Sequence, residues 1–262
     1  MSTSPRSRPS LRTATTWTQR ALTAAALVAV LVSAGEAAAQ DGRVFIDING
    51  GTQATSTDFT DNVVFTEFVE EGDFDATYGI DSGLVVDISG GVAVGRRLAV
   101  GVGYSRFEKR NGASVDARIP HPFFFDRDRS IAGAAANLAR TETAVHVQLR
   151  WFAPLGGRVS VSLFGGPTFF RVTQGLVTTV DFSQSYPFDD ASFTSASTGD
   201  RSGSALGYNV GADAGFFFSR NIGVGVLARF ARASVDLVSE ATGLVSIDSG
   251  GFHAGGGLRL RF

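Results

Sequence analysis

The segment Phe252-His-Ala-Gly-Gly-Gly-Leu-Arg-Leu-Arg-Phe262 constrains the fold more than any other part of the chain. Counting back by twos from Phe262 gives Leu260, Leu258, Gly256, Ala254 and Phe252; the alternate positions are Arg261, Arg259, Gly257, Gly255 and His253. A period of two places successive side chains on opposite faces of a sheet. One face of this strand is apolar or small and ends on an aromatic ring, while the other is small or cationic. Such a strand suits a membrane-spanning barrel, with lipid outside and a polar lumen within.

The same alternation recurs and predicts eight strands: Arg43–Thr52, Tyr78–Val94, Leu98–Phe107, Thr141–Phe152, Arg158–Val180, Ala205–Phe218, Ile222–Leu237 and the terminal strand. The sharpest is Thr141–Phe152, where Val145, Val147, Leu149 and Trp151 alternate with Glu142, His146, Gln148 and Arg150. In four of the strands, the apolar parity taken over Thr141–Trp151, Leu206–Phe218, Ile222–Phe230 and Phe252–Phe262 holds 24 positions and no Asp, Glu, Lys, Arg or His; beyond Phe230 the same parity meets Arg232 and Asp236. The opposite parity holds Arg140, Glu142, His146, Arg150, Asp213, Arg229, His253, Arg259 and Arg261. A basic side chain facing lipid at mid-membrane costs about 2–4 kcal/mol, enough to enforce that exclusion. A soluble barrel would need the reverse arrangement, and the glycine-rich, charged parity could not form its core. In the fifth strand Val159, Val161 and Leu163 share one parity while Phe170 and Val172 share the other; a bulge at Gly165-Gly166-Pro167 is expected to restore the facing.

The connections alternate in length. Gly95-Arg96-Arg97, Pro154-Leu155-Gly156-Gly157 and Ser219-Arg220-Asn221 are tight turns; residues 53–77, 110–139 and 181–204 are long segments and 239–246 a moderate one. Short turns on one side and long loops on the other fit an up-and-down barrel of the outer membrane. Ahead of the strands, Arg6, Arg8, Arg12 and Arg20 precede the apolar run Ala21–Val32 and the small residues Ala37-Ala38-Ala39. This order reads as a secretory signal peptide over residues 1–39, cleaved near Ala39, followed by one barrel domain over residues 40–262. The apolar run, roughly a dozen residues, is shorter than the ~20 of a stable transmembrane helix. The chain has no cysteine, hence no disulfide, thiolate metal site or lipidated cysteine. A net charge of −2 gives no argument for nucleic acid or an anionic lipid surface as a partner.

On strand count, loop asymmetry and the terminal Gly257-Leu-Arg-Leu-Arg-Phe262, the region 40–262 resembles the small eight-stranded outer-membrane barrels of the OmpA and OmpX kind. The resemblance implies an all-β, transmembrane, eight-stranded antiparallel up-and-down β-barrel in the bacterial outer membrane. It also implies outer-membrane lipid and lipopolysaccharide as surroundings, and a C-terminal strand ending at Phe262 that the barrel assembly machinery reads. The chain departs from the OmpA pattern in carrying no peptidoglycan-binding domain after the barrel, so wall tethering by that route is not expected. Such a fold hosts adhesins, enzymes, pores and structural proteins, and does not by itself select an activity.

Three groups of residues are candidates for function. Asp47, Asp81, Asp87, Glu142 and Asp213, with Arg150, Arg229, Arg259 and Arg261 and the imidazoles of His146 and His253, are expected to line the lumen. Their simplest role is a mutually paired polar plug, with a gated proton or ion path, or catalysis, as alternatives. His121, in Pro120-His121-Pro122, and the pair Asp189-Asp190 lie in expected loops. No Ser-His or His-Glu pairing at catalytic spacing and no metal-ligand spacing recurs, so no catalytic, cofactor-binding or metal-ligating residue is expected. The long segments are rich in aromatics: Phe59, Phe65, Phe68 and Phe74, then Ile119–Phe125, then Tyr186, Phe188 and Phe193. They are expected to fold into a small core above the membrane or to meet an extracellular ligand. Trp151, Phe216, Phe218 and Phe262 fit an aromatic girdle at the short-turn end. The expected role is structural or surface-interacting, without catalysis. The alternatives are a narrow, porin-like pore or carrier for small or hydrophobic solutes and, further down, a lipid-modifying enzyme.

Overall fold

The computed structural model describes residues 44–54, 57–155, 157–239 and 243–262; the expected leader over residues 1–39 and Arg43 lie outside these. The described chain forms ten strands: β1 (Val44–Ala54), β2 (Thr57–Glu67), β3 (Glu70–Ile80), β4 (Gly83–Ala93), β5 (Leu98–Pro120), β6 (Asp128–Phe152), β7 (Val159–Gln184), β8 (Ala191–Phe217), β9 (Ile222–Ser239) and β10 (Gly243–Arg261). All pairings are antiparallel. Eight strands close a ring, β1-β4-β5-β6-β7-β8-β9-β10 and back to β1. The terminal strand pairs with the first, as its alternation requires, from Phe45 opposite Arg261 to Ala54 opposite Phe252.

The two strands outside the ring come from the segment 53–77. β2 and β3 form a hairpin, and β3 adds onto the far half of β5, with Asp73 opposite Arg118 and Tyr78 opposite Ala113. The other long segments are also strand rather than loop. β5 and β6 run on to a turn at 121–127, and β7 and β8 to one at 185–190. The reason is visible in Asp73-Phe74-Asp75-Ala76-Thr77-Tyr78: apolar residues alternate with polar ones and need a partner sheet to cover them.

These extensions bury their own core. Val63, Phe74, Ala76, Tyr78, Ala113, Val115, Ala117, Ile119, Ile131, Leu138, Leu176 and Val177 pack together, with Phe59, Phe65, Phe182 and Phe193 against them. Phe59 and Tyr78 stack with ring centroids 4.6 Å apart. The expected strand Tyr78–Val94 is accordingly two strands. Tyr78 lies in this core and the buried Ile80 ends β3; the chain breaks at Asp81 and Ser82, and β4 then carries Leu84, Val86 and Ile88 on the outer surface. Asp81 is exposed at that break, not within the ring.

The expected bulge at Gly165-Gly166-Pro167 is absent. The β7–β8 register runs unbroken from Val159 opposite Phe216 to Val177 opposite Thr198, and the shifts come later, between Val177 and Thr179 and between Asp181 and Phe182. Phe170 and Val172 simply face inward, with Arg171 exposed. They join Ala144, Ala231, Ala233, Val235, Leu237 and Ile247 in an apolar layer that lies between the polar interior and the core of the extension. The parity was constant; the environment changes from polar to apolar along the interior.

Interior glycines make room for large side chains. A Cβ on Gly225 would stand 2.8 Å from Arg259 Nε, and one on Gly211 would stand 2.6 Å from the Phe164 ring.

In the extension, the buried phenol oxygen of Tyr78 accepts a hydrogen bond from the Val177 backbone N–H at 2.7 Å. Burial pushes the Tyr78 hydroxyl up to about 12, against the counteracting pull of that N–H. A folded-state value above the unfolded one means the stabilisation is full below the unfolded value and is lost as pH rises towards 12. Tyr78→Phe leaves a buried N–H unpaired and is expected to destabilise the extension by about 1–3 kcal/mol. Near-UV circular dichroism melts at pH 8 and in alkali check both points: the variant should melt earlier at pH 8 and lose less on going to alkali. Equal melts would remove this role for Tyr78.

Candidate functional site

The interior of the ring holds four carboxylates, each on an arginine. Asp47 meets Arg150 Nη1 at 2.6 Å and lies 3.7 Å from Arg259 Nε. Arg259 meets Asp213 at 2.5 Å, Arg229 meets Asp87 at 2.7 Å, and Arg140 meets Glu142 at 2.6 Å. All eight side chains are buried. They converge because they sit on the inward parity of six different ring strands, so closure alone brings Asp87 of β4 to Arg229 of β9 and Asp47 of β1 to Arg150 of β6. Of the expected lumen set, the structure brings together all but two. Asp81 is outside, and Arg261 sits half-buried at the short-turn mouth.

Neutral polar groups complete the network, and these the charge pattern did not single out. Glu142 accepts from Gln53 Nε2 at 3.2 Å, Ser249 Oγ at 2.9 Å and the Gly250 backbone N–H at 2.9 Å, besides Arg140. Arg140 also donates to the Asp248 carbonyl at 2.7 Å. Asn49 donates to Asp87 at 3.2 Å, and Asn209 donates to Thr168 Oγ1 at 2.9 Å and to the Gly166 carbonyl. Their inward parity was legible; their partners lie on other strands, up to 197 positions away for Gln53 and the Gly250 carbonyl.

His253 Nδ1 accepts from Arg229 Nη2 at 3.0 Å. His146 stands between Ser105 Oγ, 3.0 Å from Nε2, and Thr168 Oγ1, 2.9 Å from Nδ1. A Ser-His contact therefore exists, made across the β5–β6 pair where spacing along one strand could not show it. Its third member is a hydroxyl, which cannot hold an imidazolium as a carboxylate would. His146 and Ser105 are both buried. No group of three or more His, Asp or Glu able to hold a metal ion occurs among the described residues.

At the short-turn mouth the charges give way to an aromatic and guanidinium stack. Arg150 lies over Phe45, 4.4 Å from its centroid, and Phe164, at 5.2 Å. Arg261 lies over Phe217 at 4.1 Å and Phe152 at 5.7 Å, and reaches Ser160 Oγ. The cavity among these residues measures about 10 Å³, room for about one water.

The opposite pole is aromatic. Phe123, Phe124, Phe125 and Tyr186 are 68%, 56%, 75% and 85% exposed. Phe123 packs on Phe188 at 5.5 Å and Phe188 on Tyr186 at 6.1 Å, so the two distal turns form one patch. His121 is buried beneath it, its Nδ1 accepting from the backbone N–H groups of Phe123 and Phe124 at 3.1 and 3.2 Å. It braces a turn. Asp189 pairs with Arg127 at 3.0 Å across the same tip, and Asp190 is exposed. Of the aromatics in the long segments, those on β2, β3 and β8 went into the extension core; at the turns Phe123, Phe124, Phe125 and Tyr186 stayed exposed, and Phe68 and Phe188 are half-buried.

The outer surface of the ring is apolar: Ile48, Leu84, Val86, Ile88, Val100, Leu149, Leu163, Leu206, Val210 and Val226 are all exposed. Trp151, Phe216, Phe218 and Phe262 are exposed near its short-turn edge.

No family model and no curated protein matches this sequence. Among solved structures, the chain is similar to the outer membrane protease OmpT from Escherichia coli (10% identity, 85% of this chain and 98% of that one, TM-score 0.47). It is also similar to Neisserial surface protein A (13%, 85% and 98%, TM-score 0.39) and to Ail, the attachment invasion locus protein of Yersinia pestis (11%, 83% and 99%, TM-score 0.35). Likenesses this distant carry no residue role or activity to the present chain.

The paired interior makes a sharp expectation. Arg229→Ala leaves the Asp87 carboxylate buried without its cation and should cost about 3–5 kcal/mol. The double variant Asp87→Asn with Arg229→Gln, which removes both charges, should recover part of that loss. Thermal unfolding of the detergent-solubilised protein reads both; a single variant as stable as the parent would mean the pairs do not hold the interior.

Proposed function

We propose that the chain is an integral protein of the bacterial outer membrane: a transmembrane eight-stranded β-barrel, up-and-down in its ring, whose lumen is plugged and whose extracellular half is a folded platform with an aromatic tip. Its role is structural or surface-interacting, without catalysis. The leader over residues 1–39 delivers it across the inner membrane, and the strand ending at Phe262 serves the assembly machinery.

The observation that carries this reading is the inverted burial. Arg140, Arg150, Arg229 and Arg259 are buried inside the ring while Leu84, Val86, Leu149, Leu206 and Val226 lie exposed around it. In water such a surface is a large unsatisfied apolar band; in a bilayer it is the required one. Strand length agrees. β8 has 27 residues, more than twice the 9–11 that cross a membrane, which leaves a long portion to stand clear of it. A plug fits better than a pore because the four ion pairs and the apolar layer of Phe170, Val172, Leu237 and Ile247 fill the interior in series. A small barrel has just enough interior for side chains to occupy. The exposed Phe123, Phe124, Phe125 and Tyr186 are the natural contact surface for an extracellular ligand.

The absence of cysteine makes a clean topology test possible. In intact cells Phe124→Cys should react with a membrane-impermeant maleimide and Arg96→Cys should react only after permeabilisation. The protein should sediment with outer membranes and migrate differently on gels before and after boiling. A soluble, heat-unmodified protein would overturn the reading. In planar bilayers no current above lipid background is expected, and defined conductance steps would replace the plug with a pore.

A further inference from the structure

We infer that the short-turn rim of the barrel carries a specific site for one anionic glycerophospholipid, its phosphate held by Arg158 and Arg220 and an acyl chain laid in a groove on β7, β8 and β9. This rests on the membrane reading above, with the short turns in the periplasmic leaflet.

The groove is on the outer face, about 520 Å³ in volume, with Ala214 as its small outward side chain among Val159, Phe216, Val224 and Val226, and the inward glycines Gly215, Gly225 and Gly257 lining it through backbone alone. Register places it at the short-turn end: Val159 lies opposite Phe216, Phe216 opposite Val224, and Ala214 opposite Val226. A flexible chain finds here a shallow recess over Ala214, between the larger side chains of Val159, Phe216, Val224 and Val226.

The second feature is charge. Arg158 immediately precedes Val159, and its carbonyl accepts from the Phe217 N–H at 2.8 Å, which fixes the turn beside the end of β8. Arg220 lies in the turn that joins β8 to β9. Both side chains are exposed, and among the described residues neither guanidinium has a hydrogen bond or ion pair. The three short turns, 95–97, 153–158 and 219–221, contain Arg96, Arg97, Arg158 and Arg220 and no Asp or Glu. By contrast, the β2–β3 hairpin at the other pole carries Asp58, Asp61, Glu67, Glu70, Glu71, Asp73 and Asp75 and no base. Two exposed guanidiniums, one on the residue before Val159 and one in the turn that joins the strands of Phe216 and Val224, complement a molecule with a phosphate at one end and a hydrocarbon chain at the other. Arginine suits this task because its planar fork meets two phosphate oxygens at once. The net negative charge of the headgroup matters: a zwitterionic lipid brings a cation into a region with no carboxylate to receive it.

Native mass spectrometry of the detergent-purified, delipidated protein, given phosphatidylglycerol or phosphatidylcholine with identical acyl chains, tests the site. One phosphatidylglycerol is expected to be retained in preference to phosphatidylcholine. Arg158→Gln with Arg220→Gln should weaken that retention about tenfold, in line with roughly 1 kcal/mol per basic residue near a lipid surface and incomplete loss of the remaining field. Ala214→Leu, which fills the groove, should weaken both lipids. Arg96→Gln with Arg97→Gln, at a turn away from the groove, should change neither. Equal retention of the two lipids by the parent would overturn the site. So would an equal loss in the Arg96 and Arg97 variant, which would reduce it to diffuse attraction. Boiling-dependent gel migration is followed for every variant. A parent that shows no such shift and holds no lipid would fail the membrane reading itself, whereas a shifted parent without selectivity fails only the lipid site.

Discussion

Val44 and Phe262 exchange two backbone hydrogen bonds, 3.0 and 2.9 Å long, and from there β1 and β10 stay paired up to Ala54 and Phe252. This seam converts a sheet into a ring. Before closure, Asp47, Asp87, Arg229 and Arg259 lie on one face of an open sheet and can be hydrated. After closure they are enclosed, and each must find its counter-charge on a strand that is remote in sequence. The seam is tight enough that a Cβ on Gly257 would stand 1.7 Å from the Ile48 carbonyl oxygen. Glycine at that position is a condition of closure.

Once the ring is closed, the interior is stratified. An arginine and aromatic stack lies at the short-turn mouth, ion pairs and neutral polar groups lie in the middle, and an apolar layer leads into the core of the extension. Polar groups in the middle are tolerated because every buried carboxylate there is paired with an arginine. Glu142 illustrates this, with Arg140, Gln53, Ser249 and the Gly250 N–H all directed at its carboxylate. A network of this kind resists opening, because moving one strand would strand several charges at once.

Much of the ring could be read from the sequence. Parity along Thr141–Phe152 and Phe252–Phe262 separated inward from outward positions correctly, down to Trp151 outside and Arg150 inside. The same reasoning went astray where the environment, not the period, changed. Phe170 and Val172 suggested a bulge because an apolar residue was taken to face lipid, yet the interior itself turns apolar at that height. Tyr78 was read as the start of one strand running to Val94, yet it belongs to the core of the extension. Periodicity reports which side chains share a face. It does not report what that face meets.

The sequence by itself determined the strands and their inverted polarity, because these follow from a period of two carried by chemically opposite residues. Tertiary structure alone decided the rest. Which carboxylate takes which arginine, the cross-strand contact of Ser105 with His146, the β2–β3 hairpin seated on β5 and the meeting of Phe123 with Phe188 all join positions that no local pattern relates. The groove beside Arg158 and Arg220 belongs to the same class, since it exists only where three strands lie side by side. Pairing across a closed sheet is set by register and ring geometry, and those are properties of the whole chain.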